Sequence, residues 1–288
     1  MSLSQRSRAL QSSRFAEKRR KKMIGLAVIF VVGIFVVLSC TVLFLRIPFF
    51  QISDIDVVGA EADITPQMVD NVKEQLKGNY LALIPRSNIF FYPKSDITKS
   101  LISNFKNIES LSIVRKGLST IALSVSERTR AALVCEGFHD DDSSESDSCF
   151  FSDKDGYVFA KASATSSDTF IHYYIVTDKG DALLGTNFID SVNFKEIAGF
   201  VAGSAKAGIV PLGVLVSEGN QYEMYVKNDS SEITVYFDTR TPLSATLSNF
   251  VTFWNTTFNS SSEKKSTSTP KIDYINLRYG NTIFYSAQ

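Results

Sequence analysis

The stretch IESLSIVRKGLSTIALSVSER, residues 108–128, contains two runs in which apolar and polar residues alternate. Side chains of a β-strand point to opposite faces in turn, so each run predicts a strand with one buried face. The two runs meet at Lys116-Gly117-Leu118, where the glycine favours a turn. We therefore expect an antiparallel hairpin whose inward-facing residues are Leu111, Ile113, Ile121, Leu123 and Val125.

A strand and two helices are predicted before this hairpin. The strand is FFQISDIDVVGAE, residues 49–61. The first helix is expected to have Thr65 as its N-cap, Pro66 at its first position and Gly78 as its stop. The second helix follows Pro93. The apolar stripes of the two helices are Val69, Val72 and Leu76, and Ile97, Leu101 and Phe105. Both stripes need a sheet to cover them, so the segment predicts a compact α+β domain.

This segment resembles the POTRA domain of the FtsQ/DivIB family of bacterial cell-division proteins. The resemblance rests on the strand ending in Val57-Val58-Gly59, on GNYLAL at 78–83, and on the hairpin that ends in Glu127-Arg128. The hairpin matches part of the family pattern V-x-R-x-x-P-x-x-L-x-V-x-V-x-E-R-x-P. Leu118 and Arg130 stand where the family usually has prolines. The resemblance implies a POTRA domain over residues 50–128, with the order β-α-α-β-β.

The following segment, residues 129–288, is predicted to be rich in strands and to contain two helices. The predicted strands are 131–136, 149–160 with a turn at Asp155-Gly156, 171–177, 214–217, 222–227 and 232–237. Helices are expected within 188–206 and over 242–258, the second with an apolar face formed by Leu243, Leu247, Phe250, Val251 and Trp254. The strand IDYINLR near the C-terminus is similar to the terminal I-x-x-I-D-L-R region of the family. The resemblance, over residues 15–285, implies an FtsQ-type mixed β domain with packed helices that ends in an edge β-hairpin.

Near the N-terminus, Met23–Leu45 is a run of 23 residues without a charge. As a helix it would be about 34 Å long, enough to cross a hydrocarbon core of roughly 30 Å. The residues before it carry eight Lys or Arg and one acid, whereas Arg46 alone follows closely. This asymmetry predicts a cytoplasmic basic tail at 1–22, a transmembrane helix at 23–45 and extracytoplasmic domains after it. A cleaved signal peptide and a lipoprotein signal ending at Cys40 are the weaker alternatives.

The charges are unevenly distributed: a basic arm, residues 1–22, precedes an acidic remainder of the chain. The chain has 30 basic and 30 acidic residues, and removing the first 22 residues leaves 22 basic against 29 acidic. The run KRRKK at 18–22 could bind nucleic acid, but beside an apolar span it is explained by orientation and by contact with anionic lipid. We predict the lipid bilayer, and no nucleic acid, as its partner.

Cys135 and Cys149 flank the acidic stretch EGFHDDDSSESDS. In an oxidising compartment a disulfide between them is the favoured interpretation, and it would add roughly 3 kcal/mol in the chain-entropy model. Free thiols remain open, as does a metal site that uses His139 and neighbouring acids, or calcium bound by the loop 139–148.

The sequence offers little that points to catalysis. Its two histidines stand outside any metal-binding motif, and S-x-x-K at Ser103 and Ser261 lacks a K-T-G partner. We therefore predict a protein that is not an enzyme and needs no cofactor. A carbohydrate-binding or hydrolytic envelope protein is the competing class. Glycosylation-type patterns at Asn228, Asn255 and Asn259 leave a eukaryotic type II surface protein as a further alternative.

The C-terminal stretch RYGNTIFY, residues 278–285, predicts a hairpin with a two-residue turn at Gly280-Asn281 that pairs Tyr279 with Thr282. Ile275, Leu277 and Tyr279 alternate with polar residues and are expected to face inward. The last strand has apolar groups on both faces and no protecting Lys, Glu or Pro, so a partner strand is expected to cover it. The alternative, which stays open for each residue from Ile283 to Tyr285, is that its side chain completes the core. The predicted partner-binding residues are Leu277, Arg278, Tyr279, Ile283, Phe284 and Tyr285.

The resemblance implies a non-enzymatic scaffold in the cytoplasmic (inner) membrane at the division septum. In the FtsQ/DivIB family the last strands of the β domain bind FtsB, within a complex that includes FtsL. The POTRA domain helps localisation in that family and could bind other divisome proteins. The expected partners are thus single-pass division proteins of the FtsB/FtsL type, and the expected role couples septum assembly to septal peptidoglycan synthesis.

Overall fold

The computed structural model describes residues 3–137, 149–162, 170–176, 180–217, 219–228, 231–259 and 271–287. Helices and three β-sheets are both present, which confirms the α+β class. The chain divides into two compact units. The first unit comprises residues 1–102 and 110–126, and the second comprises residues 103–109 and 127–288. The acidic loop 139–148 and the polar loop 260–269 lie outside the described residues.

Helix α1, Leu3–Leu45, opens the first unit. The stretch Lys18–Leu45 is long and apolar enough to cross a membrane, and no other helix in the described part of the chain is. The prediction of one apolar N-terminal helix is therefore confirmed. The helix begins at Leu3 rather than at Met23, so the backbone of the predicted basic tail is already helical from Leu3 onward.

The rest of the first unit places two helices beside a three-stranded sheet. In chain order the elements are β1 Asp54–Val58, α2 Thr65–Gln75, β2 Asn79–Tyr80, β3 Ile84–Pro85, α3 Lys94–Asn104, β4 Ile108–Arg115 and β5 Thr120–Glu127. The sheet order is β1-β5-β4, with β1 parallel to β5, and β2 pairs with β3. The Ser100 hydroxyl of α3 donates to the Asn71 Oδ1 of α2 at 2.9 Å. The buried side chains include Met68, Val72, Leu76, Ile97, Leu101, Ile113, Ile121 and Leu123.

The start of α2 differs from the prediction. Thr65 is the first residue of the helix, and Ile64 occupies the N-cap position without a side-chain cap. The Thr65 hydroxyl donates to the Glu61 carbonyl oxygen, 2.9 Å away, so it does not satisfy an amide of the first turn. The N-cap prediction for Thr65 is wrong because the chain before it already follows a helical turn, with the Thr65 amide also bonded to the Glu61 carbonyl.

Gly59 ends β1 with a backbone φ of +90°, which residues with a side chain rarely adopt. A Cβ at this position would lie within 3.0 Å of the carbonyl oxygen of Val125 in β5. The glycine in the Val57-Val58-Gly59 motif therefore allows two backbone segments to approach closely.

The second unit is built on one nine-stranded sheet with two helices. Its elements are β6 Ala132–Glu136, β7 Cys149–Ser152, β8 Val158–Lys161, β9 His172–Ile175, α4 Ser191–Lys206, β10 Val210–Ser217, β11 Gln221–Asn228, β12 Ser231–Asp238, α5 Leu243–Trp254, β13 Ile272–Tyr279 and β14 Thr282–Ala287. The strand order is β14-β13-β12-β11-β10-β9-β6-β7-β8. The sheet is mixed, because β13 runs parallel to β12 and β9 runs parallel to both β10 and β6.

Helices α4 and α5 cover one face of this sheet and form its main core. Phe200 of α4 packs against Phe237 of β12 and Phe250 of α5, with ring centroids 4.8 and 5.9 Å apart. The predicted face of α5 is largely confirmed, since Leu243, Phe250 and Trp254 are buried. Asp190 caps α4, because its carboxylate accepts from the amide of Val192 at 3.0 Å.

The predicted turn at Asp155-Gly156 is held by a buried carboxylate. Asp153 Oδ1 accepts hydrogen bonds from the amides of Asp155 at 2.8 Å and Tyr157 at 3.0 Å. Arg128 forms an ion pair with the other oxygen of Asp153 and stacks 4.0 Å above the Tyr157 ring. The Asp153 carboxylate is therefore occupied by hydrogen bonds and an ion pair within the protein, and these contacts account for the structure of the turn.

Candidate functional site

Strand β14 lies at one end of the nine-stranded sheet and pairs with β13 in antiparallel register. Tyr279 pairs with Thr282 across the turn, as predicted, and Gly280 supplies the positive φ of +66° that this turn requires. On the outer side of β14, no strand among the described residues pairs with it. The sequence of β14 is TIFYSA, without a charge or a proline, so its edge lacks the usual protection against pairing.

At the opposite end of the sheet, the start of β8 is covered by the protein's own chain. The Val158 amide of β8 donates to the Thr186 carbonyl at 2.9 Å, and the Gly185 amide donates to the Val158 carbonyl at 2.7 Å. Tyr157 and Asn187 add an isolated bridge beside them. The β8 edge is therefore covered at its start, at Val158, whereas in the described part of the chain no strand pairs with the outer side of β14.

The strand register divides the side chains near β14 between two faces. Ile275 pairs with Tyr285, and both belong to the face that α4 and α5 cover. Asn276 pairs with Phe284 on one side and with Tyr236 of β12 on the other. Paired residues point to the same side of a sheet. The face opposite α4 and α5, which we call the open face, therefore carries a row of side chains formed by Glu223, Tyr236, Asn276 and Phe284.

Phe284 and Tyr279 lie together at the tip of the hairpin. Phe284 is 52% exposed and Tyr279 is 61% exposed. Tyr279 was expected to face inward with Ile275 and Leu277, and this part of the prediction is wrong. The pairing of β13 with β14 shifts register between Asn276 and Tyr279, which breaks the simple alternation.

Two further predicted residues, Ile283 and Tyr285, face the helices. The Tyr285 ring packs against Phe253 of α5, with centroids 5.2 Å apart, yet the residue remains 50% exposed. Ile283 is partly buried against the core. Tyr285 is thus accessible at the edge, whereas Ile283 mainly completes the packing.

Leu277 is the one predicted partner-binding residue that the structure removes from the surface. It is 3% exposed and belongs to the core beneath α4 and α5. Its side chain follows Ile275 in the strand alternation and therefore lies on the helix-covered face. Including Leu277 in the site was wrong for this reason.

Arg278 lies over the open face, where its guanidinium stacks on Tyr236 at 5.1 Å. It also donates to Gln221 Oε1 at 3.0 Å and to Asn276 Oδ1 at 3.3 Å. The Tyr236 ring is 6.0 Å from Tyr274. Burial, followed by the nearby Glu223 carboxylate, raises the pKa of Tyr236, so its phenol stays protonated and able to donate a hydrogen bond.

A polar cleft of about 360 Å³ adjoins this face at the hairpin tip. Asp238 is buried in it and accepts a hydrogen bond from Arg240 Nε at 2.8 Å. This hydrogen bond is the main cause that raises the pKa of Arg240, which therefore remains a cation. The cleft is lined by Gly219, Gln221, Asp238, Arg240, Arg278 and Tyr279.

The sequence reasoning missed Tyr236, Tyr274 and Phe253 as members of this surface. In β12, Val235 and Phe237 are buried and Tyr236 lies between them. Strict alternation could therefore have placed Tyr236 outward. Nothing in the sequence indicated that β12 and β13 are neighbours, and this pairing is what brings Tyr236 beside Arg278.

The described residues contain no group of three or more His, Cys, Asp or Glu side chains that could hold a metal ion. Cys135 and Cys149 form a disulfide between β6 and β7. The suggested metal ligand His139 lies outside the described residues. His172 Nδ1 is 3.2 Å from the Tyr174 hydroxyl, which gives the ring a neutral partner.

Comparison with known proteins adds no assignment: no protein-family model matches this chain, and no match was found among curated proteins. The geometry itself offers an open strand edge flanked by aromatic rings and two arginines. Such an arrangement can bind an extended peptide through backbone hydrogen bonds and can select it through side-chain contacts.

Proposed function

We propose that this protein is a non-enzymatic scaffold of the bacterial cell-division machinery, of the FtsQ/DivIB type, that binds single-pass division proteins of the FtsB/FtsL kind. In this proposal β14 receives a strand of the partner. The bound complex couples septum assembly to septal peptidoglycan synthesis. No cofactor takes part.

The observation that carries the proposal is the difference between the two ends of the nine-stranded sheet. Residues 185–187 cover the start of β8 at Val158, whereas the β14 edge is uncharged and has no described neighbour. Proteins usually protect such an edge, and an added partner strand would satisfy its backbone groups. The edge is therefore best explained as a place where another chain pairs.

Side chains beside the edge support selective recognition. Phe284, Tyr279 and Tyr285 are half exposed or more, and Arg278 lies next to them on Tyr236. Tyrosine and arginine are enriched among residues that dominate binding energy, particularly where aromatic surface can be desolvated. We infer that Phe284 and Tyr279 contact apolar residues of the partner strand and that Arg278 contacts polar or acidic ones.

The proposed address is the cytoplasmic (inner) membrane at the division septum, with the N-terminus in the cytoplasm. Basic residues precede the apolar part of α1, which favours this orientation. The Cys135–Cys149 disulfide supports an oxidising location for the second unit. In this proposal residues 50–128 form a POTRA domain that helps localisation and could bind further divisome proteins.

Depletion and complementation in the encoding bacterium test the proposal. We expect depletion to block septum formation, and the wild-type gene to restore it. Phe284→Glu should fail to restore division although the protein accumulates in the membrane. Val192→Glu, a matched change at an exposed apolar residue of α4, should complement.

A photo-crosslinking amino acid at position 284 identifies the partner in the same cells. We expect a crosslink to a single-pass division protein at position 284 and none at position 192. Normal septa after depletion would refute the scaffold function. Cleavage of wall polymer by the purified protein would instead support the competing envelope-hydrolase class.

A further inference from the structure

Apolar side chains are exposed around the point where α1 ends. Leu81 is 92% exposed and Phe49 is 62% exposed, and Ile47, Leu83 and Phe90 are also exposed. We call these five residues the juxtamembrane surface. An exposed apolar cluster of this kind marks a surface that is covered by a partner or a membrane.

The juxtamembrane surface is held against the end of α1 by hydrogen bonds. Arg46 donates from Nε to the Leu83 carbonyl at 3.0 Å and from Nη2 to the Ala82 carbonyl at 2.8 Å. The buried side chain of Asn88 donates from Nδ2 to the Leu45 carbonyl at 2.8 Å, which satisfies one of the carbonyls left open at a helix C-terminus. The turn between β2 and β3 therefore lies directly beside the last turn of α1.

Aromatic rings continue from the helix into this surface. Phe44 in the last turn of α1 contacts Phe50 with ring centroids 4.9 Å apart. Phe50 in turn contacts Phe49 at 5.3 Å and Phe90 at 5.7 Å. The apolar surface of the helix and that of the following domain are thus continuous.

The turn that presents Leu81 is in an unusual conformation. Leu81 and Ala82 have φ values of 47° and 59°, in the left-handed region that non-glycine residues rarely occupy. The strained turn directs the large apolar side chain of Leu81 outward, away from the protein core. Backbone strain of this kind is retained where the surrounding structure enforces it and often accompanies a functional contact.

Cationic groups border the apolar residues. The Arg115 guanidinium lies 5.9 Å from the Phe90 ring. Arg86 lies 5.5 Å from the Tyr80 ring, and its Nη2 donates to Asp96 Oδ2 at 2.7 Å, so its charge is already paired within the protein. Tyr80 and Arg115 are of the residue types that suit the membrane interface, where tyrosine rings lie at headgroup depth and a guanidinium meets lipid phosphates. A lipid surface therefore fits both the apolar and the charged groups.

We propose that the juxtamembrane surface inserts into the interfacial layer of the same bilayer that α1 crosses. The inference rests on the membrane anchor of the proposed function, because continuity with α1 is what identifies lipid as the occupant. The strained turn at Leu81-Ala82 acts as a wedge that enters the headgroup region. Insertion restricts the tilt of the domain around β1, α2 and α3 relative to the membrane.

Fluorescence of the full-length protein in liposomes tests whether Leu81 enters the bilayer. The chain is reconstituted in phosphatidylcholine and phosphatidylglycerol with spin-labelled lipids, and the environment-sensitive NBD dye is attached at Leu81→Cys in a Cys40→Ser background. The matched control is Asp63→Cys, an exposed residue before α2, at the opposite end of that helix from the β2–β3 turn. The native Cys40, labelled in the unmodified chain, reports insertion of α1.

We expect spin-labelled lipid to quench the dye at position 81 several-fold more than the dye at position 63, with a blue-shifted emission at position 81. Quenching at Cys40 together with a position-81 signal equal to that of position 63 would overturn the insertion while leaving the anchor intact. A blue shift at position 81 without lipid quenching would indicate a protein contact and also overturn it. Absence of quenching at Cys40 would refute the anchor and the insertion together.

Discussion

Phe284 and Tyr279 lie on either side of the C-terminal turn with ring centroids 5.1 Å apart and ring planes 80° to each other. An edge-to-face pair of this kind stabilises a particular placement of both rings. The pair therefore presents a defined aromatic surface at the open edge of the sheet. Both rings are more than half exposed, so they remain accessible beside β14.

Replacing Phe284 by Glu should weaken partner binding by about tenfold or more, which corresponds to a loss of roughly 1.4 kcal/mol or more. The physical reasons are the loss of desolvated ring surface and the charge placed at the edge. Co-purification of the proposed partner with the detergent-solubilised full-length protein measures this loss. Val192→Glu should bind normally, and undiminished binding by Phe284→Glu would remove Phe284 from the site.

Replacing Tyr285 by Ala should lower the free energy of unfolding by about 1 kcal/mol, because the contact with Phe253 is lost. Tyr285→Phe keeps the ring and should retain most of the stability. The urea midpoint of the unfolding transition checks both variants. Equal midpoints for Ala and Phe at this position would show that the ring contact contributes nothing.

Breaking the ion pair between Arg128 and Asp153 should be costly, because both side chains are largely buried. Arg128→Met leaves the Asp153 carboxylate without its cation, so we expect a loss of about 3 to 5 kcal/mol. Glu109→Gln breaks the exposed Lys154–Glu109 pair and should cost less than about 1 kcal/mol. Denaturant unfolding compares the two variants, and similar losses would contradict the role assigned to burial.

Removing the disulfide with Cys135→Ser and Cys149→Ser should lower stability by roughly 3 kcal/mol, since the bridge closes a short loop with a sequence separation of 14. Thermal unfolding without reductant measures the difference. Cys40→Ser serves as the control, because Cys40 is outside the bridge. If the double variant and the native protein unfold at the same temperature, the disulfide does not stabilise the fold.

Replacing Gly59 by Ala should destabilise the first unit more than replacing Gly117 by Ala. Both glycines have positive φ, so both substitutions carry backbone strain of roughly 1 kcal/mol or more. A Cβ at residue 59 would additionally collide with the Val125 carbonyl, whereas a Cβ at residue 117 meets open space. The difference in melting temperature between the two variants measures the cost of the contact with the Val125 carbonyl. Equal decreases in melting temperature would show that β5 moves aside freely.

Much of the fold could be predicted because its signals are local. The hairpin of residues 108–128, the stripe Ile97–Leu101 in α3 and the buried side of α5 follow from hydrophobic periodicity. The short strands β2 and β3 were missed because two-residue strands have no periodicity. Thr65 was assigned to the wrong role because capping depends on the backbone before the helix, here the turn at Glu61.

The candidate site could be predicted only in part, because some of its residues come together through contacts between distant segments of the chain. Phe284 and Tyr285 stood out because a terminal strand without charges is visible in the sequence. Leu277 was wrongly included, although its alternation with polar residues already predicted the inward-facing side chain that the structure shows. Tyr236 was missed because its neighbour in the site, Arg278, is distant in the chain.

The sequence by itself determined the apolar span, the basic arm, the helices and strands with clear periodicity, and the turn that pairs Tyr279 with Thr282. These features depend on residues close together in the chain, where spacing and turn chemistry act directly. The tertiary structure alone decided that β12 lies beside β13, which brings Tyr236 next to Arg278, and that residues 185–187 cover the start of β8. Those outcomes depend on which distant segments of the chain pair, and no local pattern encodes that choice.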